Sequence, residues 1–350
     1  MPIKILIDNS PTINENAIRG VGSYTKYLTE ELKKNKAIEL SLTQEKDLEF
    51  KPEIIHYPFF DLFFPTLPLI KKSKTIVTIH DVIPLIFPKY YPVGKKGSLS
   101  LIKQKIALRN VDAVITDSNN SKTDIAKYLK FPLEKIHVIY LAANPNLTVA
   151  NKKTIVQVAN KYQLPSKYLL YVGDINYNKN ITQLIKTLKF LPEEIHLVCV
   201  GKNFYPHEIP EWQWIQAQIA LSDVENRIKF LTNLNSDGYS DLSAIYAGAI
   251  AYIQPSLYEG FGLPILEAMT CQTPVICANN SSLSEIALNK AILVEEAKAE
   301  KFAEAVNNIL AWTKNQRAKF IKQAANHAKK FTWSKTSKET INLYQEILKK

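Results

Sequence analysis

The sequence predicts an α/β protein made of two consecutive doubly wound, parallel-sheet domains that face each other across a cleft. Three observations carry this. Short Val/Ile-rich runs without polar alternation recur along the chain, the pattern of strands buried on both faces. Segments of helical period separate them, as parallel crossovers require. The alternation pauses once, over residues 142–166, and then resumes, which divides 350 residues into two domains of ordinary size.

In the first half the strand candidates are 3–7, 53–56, 75–79, 113–116 and 136–140, with helices expected over 24–33, 99–110 and 121–129. The pause carries Asn144-Pro145-Asn146 and Leu164-Pro165-Ser166 and reads as an inter-domain linker with weak helical character. Strands at 168–172, 195–200, 228–230, 251–254, 275–278 and 291–294 follow, with helices at 181–190, 242–247, 264–270 and 299–310 between them. The domains are thus 1–150 and 151–333. The tail 334–350 places Thr340, Ile341, Tyr344, Ile347 and Leu348 on one helical face; its pattern leaves the packing partner open, the first domain being one candidate.

Composition narrows the classes. Hydrophobic residues make up 46% and charged residues 22%, ordinary for a globular protein. The start, Met1-Pro2-Ile3-Lys4-Ile5-Leu6-Ile7-Asp8, is too short in its apolar run for a signal peptide, and no stretch reaches the ~18 apolar residues of a spanning helix. A cytoplasmic protein is expected, or one peripheral on the inner face of the membrane. Cys199, Cys271 and Cys277 are odd in number, lack zinc-ligand spacing and read as buried reduced thiols. The net charge of +11 fits a nucleic acid, an anionic membrane or a phosphorylated substrate. No nucleic-acid-binding motif accompanies it, so nucleic acid is not expected as a partner.

The densest chemistry lies in Pro255-Ser256-Leu257-Tyr258-Glu259-Gly260-Phe261-Gly262-Leu263-Pro264-Ile265-Leu266-Glu267. It follows a strand and opens a helix. Gly260 and Gly262 allow a tight turn and close approach of backbone to a ligand. Pro264 suits a first helical turn. The amides of Gly262 and Leu263 would point out of a helix N-terminus, a ready site for an anion. Glu259 and Glu267 would face one pocket, where carboxylates accept hydrogen bonds from sugar hydroxyls.

This segment resembles the signature of glycosyltransferase family 4, retaining enzymes of the GT-B fold with two Rossmann-like domains. The glutamate pair with seven residues between, the run Glu267-Ala268-Met269-Thr270-Cys271-Gln272-Thr273-Pro274, and Ser281-Ser282-Leu283-Ser284-Glu285 all fit. The resemblance implies that Glu259 approaches the donor sugar, that Glu267 binds the nucleotide ribose, and that Gly260, Phe261, Gly262 and Leu263 belong to the donor site. A second match is Tyr171-Val172-Gly173-Asp174-Ile175-Asn176-Tyr177-Asn178-Lys179-Asn180, where the family grips the donor diphosphate with basic side chains. Lys179 falls on the lysine position and Gly173 on the turn. Asn178 stands where arginine is frequent, and Asp174 where some members carry arginine, so fewer cations face the diphosphate. On the acceptor side the family has a glycine-rich loop, matched by Arg19-Gly20-Val21-Gly22-Ser23-Tyr24, and a histidine near the donor sugar, matched by His80 with Asp81 beside it. Thr116-Asp117-Ser118-Asn119-Asn120-Ser121 also matches, though helix capping explains it equally well.

The expected function is therefore retaining hexosyl transfer, with Glu259, Lys179 and His80 as catalytic residues. No Asp-x-Asp is present, so stabilisation of the leaving diphosphate is expected from Lys179 and helix amides, without metal or cofactor. The donor expected is GDP-mannose or a UDP-hexose, the acceptor a glycan or a lipid-linked saccharide of polysaccharide biosynthesis. A non-catalytic sugar-binding relative and a nucleotide-sugar epimerase of the same fold remain as alternatives. The aromatic run 57–65, with the lysines and arginine of 95–109, is expected to form a peripheral contact with anionic membrane.

Overall fold

Largely apolar runs of three to five residues form, among the described residues, two six-stranded sheets, parallel throughout. The computed structural model describes residues 2–13, 20–44, 49–234 and 239–349. The chain divides into one unit of Met1–Ala142 with Phe331–Lys350 and another of Ala143–Lys330. The first sheet contains β1 (Ile3–Ile7), β2 (Ile38–Leu42), β3 (Ile54–Tyr57), β4 (Lys74–Thr78), β5 (Ala113–Thr116) and β6 (Ile136–Val138), in the spatial order β2-β1-β3-β4-β5-β6. The second contains β7 (Tyr168–Val172), β8 (His196–Val200), β9 (Ile228–Leu231), β10 (Ala251–Gln254), β11 (Val275–Ala278) and β12 (Ile292–Val294), in the order β12-β11-β10-β7-β8-β9. Read from β9, this is the Rossmann order 3-2-1-4-5-6, with its topological switch between β7 and β10. All four residues of β5, β10 and β11 are buried, which is why these strands carry no polar alternation.

Several elements differ from the sequence reading. β2 is an additional edge strand, and its Ile-Glu-Leu-Ser-Leu alternation reflects burial on one face only. The pause is not structureless: Lys152–Tyr162 is a helix, capped by Asn151, whose Oδ1 accepts from the Thr154 amide at 2.9 Å, and ended by Gln163 in the left-handed region. Only Val158 is buried on it, so its apolar pattern is weak. It is held instead by Lys161 and Tyr162, which both reach Asp241 of the helix Tyr239–Gly248, at 2.6 and 2.7 Å. The division between units accordingly falls at Ala142 and not at 150. Three further helices, Pro210–Ser222, Ser281–Ala287 and Lys314–Ala328, belong to the second unit.

The terminal helix Trp333–Lys349 packs on the first unit. Trp333 lies against the Tyr27 ring with centroids 5.4 Å apart, and Thr336 donates to the Tyr140 carbonyl at 2.7 Å. A buried polar chain ties the same helix to the sheet. The Tyr344 hydroxyl meets His56 Nδ1 at 2.7 Å, His56 Nε2 meets Thr78 Oγ1 at 2.8 Å, and Thr78 meets the Tyr24 hydroxyl at 3.0 Å. Burial, aided by the charge of His80, pushes the His56 imidazole down to about 3, so it stays neutral. The three cysteines are buried free thiols. No helix among the described residues is long and apolar enough to cross a membrane.

His56 makes stability depend on pH. An unfolded imidazole binds a proton below about pH 6.5, and the folded one refuses it until about pH 3. This contribution is therefore full above the unfolded value and is lost as pH falls between the two. From about pH 7 to about pH 5, His56 is expected to remove about 2 kcal/mol of unfolding free energy. Urea melts of the chain and of His56→Gln at both pH values measure this, and an equal loss in the two proteins would refute it.

Candidate functional site in the second unit and a buried dyad in the first

The loops that leave β7 and β10 meet at the switch of the second sheet, where doubly wound folds bind ligands. Gly173 ends β7 at φ +152°, and a Cβ there would lie 2.8 Å from the Tyr171 hydroxyl. Gly201, after β8, is required by the same turn: its Cβ would lie 2.1 Å from the Gly173 carbonyl oxygen. The chain then makes a single turn over Tyr177–Lys179, passes through Asn180 in the left-handed region and enters the helix Ile181–Thr187.

Two asparagines fasten this loop to the next. Asn178 is buried; its Nδ2 donates to the Tyr258 carbonyl at 2.8 Å, and its own carbonyl accepts from the Leu257 amide at 2.7 Å. Asn180 Nδ2 donates to the carbonyls of Pro255 and Ala297, at 3.0 and 3.2 Å. Lys179 sits between them and projects its ammonium onto Glu259, 2.8 Å from each carboxylate oxygen.

Glu259 is buried and fully engaged. Its Oε1 also accepts from Gln254 Nε2 at 2.7 Å and from Ser256 Oγ at 2.6 Å. Gln254 Oε1 in turn accepts from the Tyr252 hydroxyl. The backbone around Glu259 is held as firmly. Its amide donates to Ser281 Oγ at 3.0 Å, and Ser282 Oγ donates to the carbonyls of Glu259 and Phe261, at 2.9 and 3.0 Å. Gly262 follows at φ +99° and begins the helix Leu263–Thr270; a Cβ there would meet Leu283 Cδ2 at 2.9 Å.

Glu267, on that helix, has a different environment. It accepts from the Tyr246 hydroxyl at 3.2 Å. Burial pushes its carboxyl up to about 7, against the lowering effect of Tyr246 and of the Asn144 backbone. Burial, then the charges of Glu259 and Glu267, drive the Tyr252 phenol well above its ordinary value, so one hydroxyl senses both carboxylates.

In the first unit, His80 and Asp117 follow the neighbouring strands β4 and β5. His80 Nδ1 lies 2.6 Å from Asp117 Oδ2, and the Tyr24 ring packs edge-on at 4.9 Å. Burial pulls the imidazole down, but the Asp117 charge and hydrogen bond outweigh it and hold His80 above its usual value; burial pushes Asp117 up. Among the described residues His80 Nε2 finds no hydrogen bond of good geometry, although the Pro58 carbonyl lies on its side. Asp117 Oδ1 and Thr116 Oγ1 are likewise unpartnered there.

The structure brings Gly173, Asn178, Lys179, Glu259 and the run Gly260 to Leu263 to one loop pair, with Glu267 on the adjoining helix. It adds the local contacts of several of the expected residues. Asn178 is a clasp between loops, and Phe261 is a buried side chain whose carbonyl is bound by Ser282. Asp81 accepts from the Ile83 amide at 3.0 Å. Gly20 and Gly22 lie in the first turn of the helix Gly20–Lys33 and not in a loop; Arg19 lies outside the described residues. Sequence reasoning assigned no role to Gln254, Ser256, Asn180, Ser281 and Ser282, although the last four stand in the segments it singled out. Polar residues at the end of an otherwise apolar strand were the available signal for the first two. Among the described residues no three His, Cys, Asp or Glu side chains form a cluster fit for a metal.

Two Rossmann-like units, one with a lysine–glutamate pair at its switch point, define the class of two-domain α/β glycosyltransferases known as GT-B. Comparison with known proteins places the chain within it. The model for glycosyl transferases group 1 matches residues 153–327, and that for glycosyltransferase family 4 matches residues 38–147. The chain belongs to the glycosyl transferases group 1 family, and it is a glycosyltransferase. It is 27% identical over 307 residues to O-antigen chain mannosyltransferase B of Escherichia coli, covering 85% of this chain and 75% of that protein. It is 29% identical over 245 residues to O-antigen chain mannosyltransferase RfbU of Salmonella typhimurium, covering 70% of this chain and 62% of the relative, under two thirds of its length. Among solved structures, sucrose-phosphate synthase from Thermosynechococcus elongatus superposes with a TM-score of 0.72 at 19% identity, covering 99% of both chains. HepE of Anabaena in complex with UDP-glucose superposes with a TM-score of 0.73 at 18% identity, covering 98% of this chain and 100% of that one. At such identities the structural likeness establishes the fold.

Tyr246 stabilises the ionised form of Glu267, so Tyr246→Phe is expected to move that carboxyl further above about 7. Carboxyl titration by infrared difference spectroscopy, with Glu267→Gln identifying the band, measures it. A downward shift would contradict the burial argument.

Proposed function

We propose that the chain transfers a hexose from a nucleoside diphosphate sugar to a glycan or lipid-linked acceptor, with retention of configuration and without a metal. The observation that carries this reading is the Lys179–Glu259 pair at the β7/β10 switch, next to the helix that starts after Gly262. An ammonium beside a helix N-terminus suits a diphosphate. At about 4 Å and an effective dielectric of about 20, one lysine–phosphate pair contributes about 4 kcal/mol before desolvation. A carboxylate suits the sugar hydroxyls.

On this reading the donor takes the Lys179 ammonium from Glu259, which Gln254 and Ser256 keep in place. The bond from the anomeric carbon to the diphosphate oxygen breaks, and the nucleoside diphosphate leaves. The acceptor oxygen bonds to the anomeric carbon on the same face, and its proton passes to the departing phosphate. No covalent nucleophile is assigned. Glu267 accepts from the ribose, and its carboxyl near neutrality makes nucleotide affinity sensitive to pH around 7. The family resemblance is the support for assigning His80 to the donor sugar; Asp117 holds its imidazole at Nδ1. The names of the O-antigen relatives favour mannose, and GDP-mannose before a UDP-hexose.

A thermal-shift screen of GDP, UDP, ADP and dTDP sugars identifies the donor base, because a bound ligand raises the melting temperature. With that donor, Lys179→Ala is expected to weaken nucleotide binding by about 10- to 100-fold, the value of one charge-assisted hydrogen bond. Glu259→Gln is expected to lower kcat by about 100-fold or more, as loss of a transition-state contact does. Near-normal transfer by both variants would refute the site.

A further inference from the structure

The helix Lys95–Leu108 carries two faces that have different uses. On the inner face Gln104 is buried, and its Nε2 donates to the Asp61 carbonyl and Thr66 Oγ1, at 2.9 and 2.8 Å, while its Oε1 accepts from the Leu67 amide. Ala107 and Leu108 join the core beside it. The outer face carries Leu99, Ile102 and Ile106, exposed by 61, 56 and 47%. Their spacing of three and four residues aligns them in one stripe.

The segment that Gln104 fastens to this helix is exposed in the same manner. It carries Phe64 and Ile70, 69 and 80% exposed. The rest of the aromatic run is not surface: Phe60 and Leu62 are buried, and Tyr57 and Phe63 pack against the core. The sequence expectation of an aromatic contact surface therefore reduces to Phe64. Its replacement is aliphatic and helical.

Charge frames the stripe. Between residues 62 and 110 the sequence has nine Lys or Arg and one acidic residue, Asp81. Lys103 and Arg109 flank the apolar stripe by helical position, and Lys95 extends it. These side chains and Lys96 form no ion pair among the described residues.

We propose that this face, Leu99, Ile102 and Ile106 with Phe64 and Ile70, docks on the surface of an anionic lipid bilayer. An apolar stripe rimmed by lysines is the pattern of helices that lie in the headgroup plane. Each cation near such a surface adds to binding. A second copy of the chain fits less well, because two faces with this basic excess would meet within a Debye length. A nucleic acid would engage the lysines and leave the leucine and isoleucines against phosphates. The inference goes beyond the transfer reaction and is independent of the donor.

Flotation of the full chain with phosphatidylcholine vesicles, and with vesicles rich in phosphatidylglycerol, tests it. The chain is expected to partition at least about tenfold more strongly to the anionic vesicles at low salt. The triple variant Leu99→Gln, Ile102→Gln, Ile106→Gln should lose about tenfold or more of that binding. Lys96→Gln and Lys103→Gln should each lose about fivefold. All variants should keep the nucleotide-induced thermal shift, which separates this test from that of the donor site. Phe64→Trp gives an independent readout: its emission should shift to the blue with anionic vesicles only. Binding to neither vesicle, equal binding to both, or undiminished binding of the triple variant would overturn the proposal. Self-association in sedimentation velocity that the triple variant abolishes would also overturn it, in favour of a second copy.

Discussion

The carboxylate of Glu259 sets the arrangement of the second unit's loops. It collects hydrogen bonds from Gln254, Ser256 and Lys179, which come from the end of β10, the loop after it and the turn after β7. A buried carboxylate without such partners would cost several kcal/mol. Satisfying it therefore fixes three pieces of chain relative to one another. The asparagines on either side of Lys179 do the rest: Asn178 and Asn180 bind carbonyls at Tyr258, Pro255 and Ala297. The two loops are thereby fastened to each other on both sides of Lys179.

The sheet makes this possible. With β7 and β10 adjacent and parallel, both chains leave the sheet at the same end, and their first residues are neighbours without any long excursion. Glycines supply the room. At Gly201 any Cβ would collide with the Gly173 carbonyl oxygen, at Gly173 with the Tyr171 hydroxyl, and Gly262 takes a left-handed turn into the next helix. In the first unit the same logic puts His80 and Asp117 after adjacent strands β4 and β5.

Much of this was legible in the residues. Buried strands such as β5, β10 and β11 announce themselves because both faces are covered, and β7 and β10 stood at their observed bounds. The edge strand β2 did not, since one exposed face leaves only an alternating pattern of five residues. The helix Lys152–Tyr162 was obscured because caps and an Asp241 clasp hold it more than apolar burial does. In the site, Glu259 was readable from its glycine-rich loop before a helix, and Lys179 from the family resemblance alone. Gln254, Ser256 and the asparagine clasps were not, because a polar side chain's partner eighty residues away is set by the tertiary fold. Asn178 illustrates the difference: the sequence shows a polar residue in the loop, and the fold supplies its partner, the Tyr258 carbonyl.

The pairing of Lys179 with Glu259 also bears on how a donor would enter. An ammonium has three donors, and here two approaches are spent on one carboxylate. A diphosphate carries more negative charge than that carboxylate, so on the proposed reading it draws the ammonium toward itself. Glu259 then retains Gln254 and Ser256 on Oε1, while Oε2 loses its partner and becomes an acceptor for a sugar hydroxyl. The exchange requires one lysine side chain to swing and leaves the backbone in place. On that reading the site would keep its charges paired when empty and present a carboxylate only once the diphosphate had arrived. That order couples recognition of the sugar to recognition of the nucleotide.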